Sequence, residues 1–277
     1  MREFRKKQKK LKKVMNFAVI FGAVFFLVYI GVSTYIAAAN AVAATICSYF
    51  CDFLVIAILV IVFLYYSKYG KSDSFLTYIE YEISDAGYYI TSKEETDVNS
   101  YINSMYEDLK NCSFSAGRNI NCGDFDFAVR AFKRKEFFYI ADIEDVNRND
   151  VLAYLDTLIN DLTVKNLKRK GNAVLCIVTD NAQDDAIALS KMITPLGRKE
   201  QLKIAICIVE ASSRKVYFLG NFESKCKQLI ANFAMNCEVP IKEQYIGKES
   251  LPFQAELEEK MKSFNIKDFK NGNFFVH

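Results

Sequence analysis

Four carboxylates bracket two neighbouring apolar stretches of this 277-residue chain. Asp124 and Asp126 open the first, residues 125–132, and Asp142 and Glu144 close the second, residues 136–143, with only the polar link Lys133-Arg134-Lys135 between them. Read as an antiparallel hairpin, the pair brings the start of one strand beside the end of the other. Period-two alternation then sets Asp142 and Glu144 on one face. Four carboxylates gathered at one end of a hairpin suit Mg²⁺, a hard cation that prefers oxygen ligands, and such an ion serves phosphodiester hydrolysis by polarising the phosphoryl oxygen and activating water. Asp126, Asp142 and Glu144 are therefore the candidate catalytic residues, and Asp124 joins them as a candidate metal ligand. The same four acids have a plainer use as exposed hairpin ends and as caps for a helix starting near Asn149. Other chemistries are excluded by inventory. The one histidine is His277, which removes Ser-His-Asp and Cys-His relays, and there is neither a GxxxxGK[ST] phosphate loop nor a GxGxxG turn after a strand.

The elements around these acids follow from periodicity. Residues 97–109 place Val98, Tyr101, Ile102, Met105, Tyr106 and Leu109 in one stripe behind a Thr96 or Asp97 cap, which predicts a helix. After the hairpin come a long helix over 149–167, with Gly171 as its C′ residue, and an unbroken apolar strand, 173–179, of the kind found in the middle of a covered sheet. A helix over 184–193, strands at 202–210 and 215–220, and helices over 222–237 and 253–264 complete the order. Strands alternating with helices imply an α/β sandwich around a mixed sheet with helices on both faces.

From 97 to 179, the succession helix, hairpin, helix, strand, with acids at the hairpin end, resembles the restriction-endonuclease-like family, whose acidic motif has the form PD-(D/E)XK. Asp126 would match the first acid and Asp142 the second. Glu144 stands at the lysine position, and Gly123 stands where the family often has proline. The resemblance implies a Mg²⁺-dependent nuclease or phosphoesterase acting on nucleic acid. The missing lysine, which in that family helps to activate water, implies a degenerate copy.

A second candidate surface lies directly after the central strand. Thr179, Asp180 and Asn181 sit where ligands of open α/β sheets often bind, at the carboxyl ends of strands. On a structural reading, Asp180 or Asn181 caps the next helix, and Asp184 and Asp185 complement its dipole.

The first quarter of the chain is of another kind. Residues 14–36 and 47–66 are apolar and interrupted by one acid, Asp52, and each is long enough to cross a hydrocarbon core, which takes roughly 20 helical residues. Of the chain's 36 basic and 33 acidic residues, eight and one lie in residues 1–13, a balance of +7 that leaves −4 for the rest. The link 37–46 carries no Lys or Arg, whereas Lys68 and Lys71 follow the second span. The positive-inside rule predicts a two-helix hairpin in the cell membrane with both termini cytoplasmic. A basic tail (1–13), a transmembrane hairpin (14–67) and a cytosolic α/β domain (72–277) follow, joined by a short connection at 68–74. A secretory signal is the rival for the first span, but its apolar run exceeds the roughly 7 to 15 residues of a signal core. Asp52 lies close enough to the outer end to reach the interface, and Ala18 and Gly22 are spaced for close helix contact.

The eight cysteines include no CxxC pair, so they are expected as reduced core or surface thiols, and no cofactor is required. Composition and a net charge of +3 exclude a wholly disordered chain. The sequence expectation is a membrane-tethered α/β binding, scaffold or sensor module whose partners are the lipid bilayer and a protein. The metal-dependent nuclease, with nucleic acid as its partner, is the alternative.

Overall fold

The computed structural model describes residues 2–85, 87–123, 125–163, 170–196, 202–221, 223–237, 245–246 and 252–267. The chain divides into two compact units, Met1–Ile79 with Glu259–His277, and Glu80–Glu258.

The first unit is built on two long helices, α1 (Arg2–Ala39) and α2 (Ala41–Ser84). Asn40 alone separates them. Its side chain accepts from the backbone N–H groups of Val42 and Ala43 and so caps α2. The helices then run antiparallel. Phe25 meets Phe50 with ring centroids 6.0 Å apart, and a Cβ on Gly22 would come within 2.2 Å of Ile58 Cδ1, so glycine sets how closely the helices approach. At the other end Asp73 binds Arg5 at 2.6 Å and Lys12 at 2.5 Å, and Arg5 also reaches Thr77 Oγ1 at 2.7 Å. Burial alone would raise the Asp73 carboxyl. The hydrogen bonds from Lys12 and Arg5 outweigh it and hold the group below the usual aspartate value.

Both helices are long and apolar enough to cross a membrane, and only 6% of the most apolar window of each is buried inside the molecule. The expected connection at 68–74 is not a break: α2 continues through it. The hydroxyls of Ser72, Ser74 and Thr77 turn back onto the carbonyls of Tyr69, Gly70 and Asp73, which keeps these polar side chains compatible with helix, and the lone Gly70 does not stop it. The basic residues 2–13 are part of α1.

The second unit holds a mixed sheet of nine strands among the described residues. The strands are β1 (Tyr88–Ile90), β2 (Ser115–Cys122), β3 (Phe125–Lys133), β4 (Glu136–Asp142), β6 (Gly171–Thr179), β8 (Ile193–Leu196), β9 (Leu202–Glu210), β10 (Lys215–Tyr217) and β11 (Tyr245–Ile246). The order across the sheet is β11-β1-β10-β9-β6-β4-β3-β2, with β8 paired to β9. At the centre β4, β6 and β9 are parallel, and the strands outside them are antiparallel. The central strand β6 is buried from Ala173 to Thr179, as an apolar run covered on both faces should be.

One face packs on α3 (Val98–Asn111), on α6 (Lys225–Leu229) and on the π-helical segment Ile230–Met235. The other packs on α4 (Arg148–Thr163) and α5 (Asp184–Ser190). α7 (Pro252–Ser263) lies near the carboxyl end. Two short strands, β5 (Asp145–Val146) and β7 (Asn181–Ala182), pair with each other beyond the ends of β4 and β6.

Several sequence expectations need correction. Residues 115–122 are a strand that the sequence did not announce, since Gly117, Asn119 and Asn121 are poor strand formers and β2 is an edge. The expected helix over 184–193 ends at Ser190, and β8 follows it. Gly171 is not a helix C′ residue. It is the first residue of β6, where a Cβ would lie 2.1 Å from the Lys135 carbonyl oxygen.

Where α2 ends and the sheet begins, Asp85 and Lys191 form an ion pair at 3.4 Å with both side chains wholly buried. Lys191 also donates to the carbonyls of Gly87 and Phe218, at 2.6 and 3.1 Å. Asp85 accepts from the backbone N–H groups of Gly220 and Asn221, at 2.6 and 3.2 Å. Breaking a fully buried pair on one side strands the remaining charge, at about 3–5 kcal/mol. Lys191→Met is expected to lose that much in denaturant unfolding of the full chain in micelles, and Asp85→Asn with Lys191→Met to lose clearly less. Equal losses in the two would show that no charge is stranded.

Burial also raises the Glu82 carboxyl from 4.5 to about 7. An acid whose folded pKa lies above its unfolded one penalises folding once ionised, so this penalty is absent at pH 4, grows between 4.5 and 7, and is full above 7. Glu82→Gln should match the wild type near pH 4 and exceed it above pH 7, by up to ~3 kcal/mol, in thermal melts across that range.

Candidate functional site

The acids singled out by sequence lie at the end of the sheet where β3 begins and the parallel strands β4 and β6 finish. Asp126 is exposed near the start of β3, and its carboxylate accepts from Asn121 Nδ2 at 2.9 Å. Asp142 is the last residue of β4 and pairs in register with Val178. Asp124 lies outside the described residues, as does His277. The alternation that would set Glu144 beside Asp142 stops at Asp142, because Ile143 and Glu144 leave the strand. Glu144 instead presents its carbonyl to the Thr179 hydroxyl at 2.8 Å and to the N–H groups of Asp180 and Asn181 at 3.2 Å.

Asp142 and Asp126 nevertheless share a neighbourhood. Both act electrostatically on the Tyr154 hydroxyl of α4, whose pKa is raised first by burial and then by Asp126, Asp150 and Asp142. The ring of Tyr154 packs on Phe125 and Phe127, with centroids 5.0 and 5.3 Å away. The Asp142 carboxyl is itself pushed up, by burial first and then by Asp180. Asp150 is engaged elsewhere: with Asn147 it forms a reciprocal cap of α4, Asn147 N–H to Asp150 at 3.0 Å and Asp150 N–H to Asn147 at 3.2 Å. That cap comes from residues next to the helix and not from the hairpin acids. Among the described residues no three His, Cys, Asp or Glu side chains are grouped so as to hold a metal ion.

Thr179, Asp180 and Asn181 do lie at the carboxyl end of the central strand. Thr179 is wholly buried, and its hydroxyl lies 2.8 Å from the carbonyls of both Glu144 and Asn181 while accepting from Asn181 N–H at 3.2 Å. A hydroxyl so engaged is a latch between β5 and β7, not a nucleophile. Asn181 Nδ2 adds a bond to Asp145 at 3.1 Å, and Glu210 accepts from Ala182 N–H and from Ser213 Oγ, at 3.2 and 2.7 Å. Asn181 and Asp180 do not cap α5. The cap position is Gln183, with no side-chain bond.

All eight cysteines are free, and burial raises Cys207 well above the usual thiol range and Cys226 to about 11.

A third place was not foreseen from sequence. On the α3 face, the loop 92–96, the first turns of α3 and Asn236 line an open polar cleft of about 530 Å³ that includes Lys93, Glu94, Glu95, Ser104 and Asp108. Lys93 has a side chain only 7% exposed, and its ammonium meets Asp108 at 2.5 Å and Ser104 Oγ at 2.9 Å. Ser104 and Asp108 stand four apart on α3, which turns them to one side. Glu94 and Glu95 are exposed at the rim.

The π-helical segment Ile230–Met235 leads into the cleft through Asn236. Its last carbonyls, those of Ala234 and Met235, accept from the Thr91 hydroxyl at 3.2 and 3.1 Å, and Ala234 also accepts from the Tyr101 hydroxyl. Asn236 then ends the segment in the left-handed region, φ 50°, a conformation that asparagine tolerates. The sequence signal was present but faint: the polar pair Ser104 and Asp108 beside an apolar stripe, and Asn236 before Cys237.

Because burial first and Asp180 second push the Asp142 carboxyl up, its ionised form works against folding, and that cost grows as pH rises through its ordinary range. Asp142→Asn is expected to raise stability at neutral pH by a few tenths of a kcal/mol, reduced from a buried-pair value because the residue is largely exposed. Destabilisation in thermal unfolding would mean that Asp142 has a favourable partner after all. Compared with family models, curated proteins and solved structures, the chain matches none, so its function must be read from its own residues.

Proposed function

We propose that this chain is a membrane-anchored α/β binding module. The hairpin α1–α2 crosses the bilayer twice, both termini and residues 72–277 lie on the cytoplasmic side, and the domain acts by holding a protein partner near the membrane. The observation that carries this reading is the bare apolar surface of both long helices, 6% buried at their most apolar, flanked by cations at 2–13, 68 and 71 and by none across 37–46. The polar cleft beside Lys93 supports the binding role. Its lining of Glu94, Glu95 and Asp108 around one paired lysine suits a basic segment of the partner, by charge complementarity.

Protease added outside intact cells should leave the portion beyond residue 66 whole, and digestion of that portion would overturn the topology. A photoreactive phenylalanine analogue at Thr96 should give a discrete protein adduct in native membranes, weakened by Glu94→Lys with Glu95→Lys. Adducts from position 142 and none from 96 would move the binding surface to the strand ends.

One observation favours a second reading, a metal-dependent nuclease or phosphoesterase of restriction-endonuclease-like fold. The elements α3, β3, β4, α4 and β6 keep the succession of helix, hairpin, helix and strand on which the resemblance rests, with β2 added beside the hairpin, and Asp126 and Asp142 both bear on Tyr154. This reading predicts that the full chain binds Mn²⁺ and that Asp142→Asn abolishes binding. Unchanged affinity in the variant would dismiss Asp142 as a ligand.

A further inference from the structure

The basic end of α1 has two faces. At about 100° per residue, Arg5, Gln8 and Lys12 fall on one side, and it is these that turn to α2: Arg5 and Gln8 are buried, and Arg5 and Lys12 hold Asp73. Lys6, Lys10 and Lys13 fall within about 60° of one another on a side roughly 140° away, and all three are exposed, as is Lys7. On α2, Lys68 and Lys71 are exposed as well. Apart from Glu3, the acid of these stretches is Asp73, and it points inward between two cations.

Depth separates the cations. Measured along the helix from Val14 at ~1.5 Å per residue, Lys13 and Lys10 lie within about 6 Å of the apolar span, and Lys6 about 12 Å away. On the other arm, Lys68 and Lys71 lie about 3 and 7.5 Å beyond Tyr66. A headgroup layer is roughly 5–7.5 Å thick on each side. Lys10, Lys13, Lys68 and Lys71 therefore stand at phosphate depth, while Lys6 stands outside it but within a Debye length of about 8–10 Å.

We infer that these four lysines form a ring that selects anionic phospholipid headgroups around the hairpin. The inference rests on the proposed membrane reading and goes beyond it in naming the lipid class and the residues. Asp73 sets which cations face outward: it draws Arg5 and Lys12 inward, while Lys10, Lys13, Lys68 and Lys71 are exposed.

The test is lipid selectivity of the full chain in phosphatidylcholine vesicles, read by electron spin resonance from spin-labelled phosphatidylglycerol and spin-labelled phosphatidylcholine. The wild type should hold phosphatidylglycerol about 3- to 10-fold more strongly at low salt, the range expected when several lysines share a headgroup shell, and less so as salt rises. Replacing Lys10, Lys13, Lys68 and Lys71 by glutamine should bring the ratio within about twofold of unity while leaving the restricted phosphatidylcholine unchanged. Lys6→Gln with Lys7→Gln should keep most of the selectivity. A wild type without preference, or a fourfold variant as selective as the wild type, overturns the ring. No restricted component from either lipid would overturn the membrane reading as well.

Discussion

The carboxylate of Asp85 is the point on which the second unit depends. It follows α2 by one residue and is surrounded by donors from three separate parts of the chain: the ammonium of Lys191 after α5, the N–H groups of Gly220 and Asn221 after β10, and the Tyr89 hydroxyl on β1. A charge wholly removed from water is tolerable only when its hydrogen bonds are filled. Gly220 is glycine for this reason. Its N–H approaches Asp85 along a path where a Cβ would lie 2.1 Å from the Tyr89 hydroxyl oxygen. A packing that buried Asp85 or Lys191 apart from the other would leave an ion without its charge partner.

The same logic governs the strand ends. The parallel strands β4, β6 and β9 finish together, and the chain leaving them must satisfy its backbone polar groups without a ladder. Thr179, Asn181, Glu144 and Glu210 do this through the β5–β7 pair. Polar residues at the carboxyl ends of parallel strands are where α/β proteins commonly place ligands; here their hydrogen-bonding capacity is directed to closing the fold. Open polar space appears on the other face, where the π-helical segment ends and Asn236 turns the chain away.

The elements read from the sequence were those whose signal is local. The stripe of Val98, Tyr101, Ile102, Met105, Tyr106 and Leu109 and the run Ala173 to Thr179 carry their own periodicity, and the helix and central strand stand where it puts them. The misses depend on partners far along the chain. β2 is a strand because β3 lies beside it, not because Gly117 or Asn119 favours one. Pro195 sits in β8 opposite Lys203, at a position taken up by the antiparallel edge of β9. The period-two argument for Asp142 and Glu144 fails because the strand ends one residue after Ala141, and strand length is decided by neighbours.

The sequence by itself determined the α/β alternation, the two apolar helices with their flanking charges, and the acids at the hairpin end, since each is written in residue types a few positions apart. Tertiary structure alone decided that Asp73 draws Arg5 and Lys12 inward, that Lys191 is buried against Asp85, and that a polar cleft opens beside Lys93. The partners in the first two cases are separated by 61 to 106 residues. No local pattern carries that information, because an ion pair is chosen by where the folded chain leaves a charge without water.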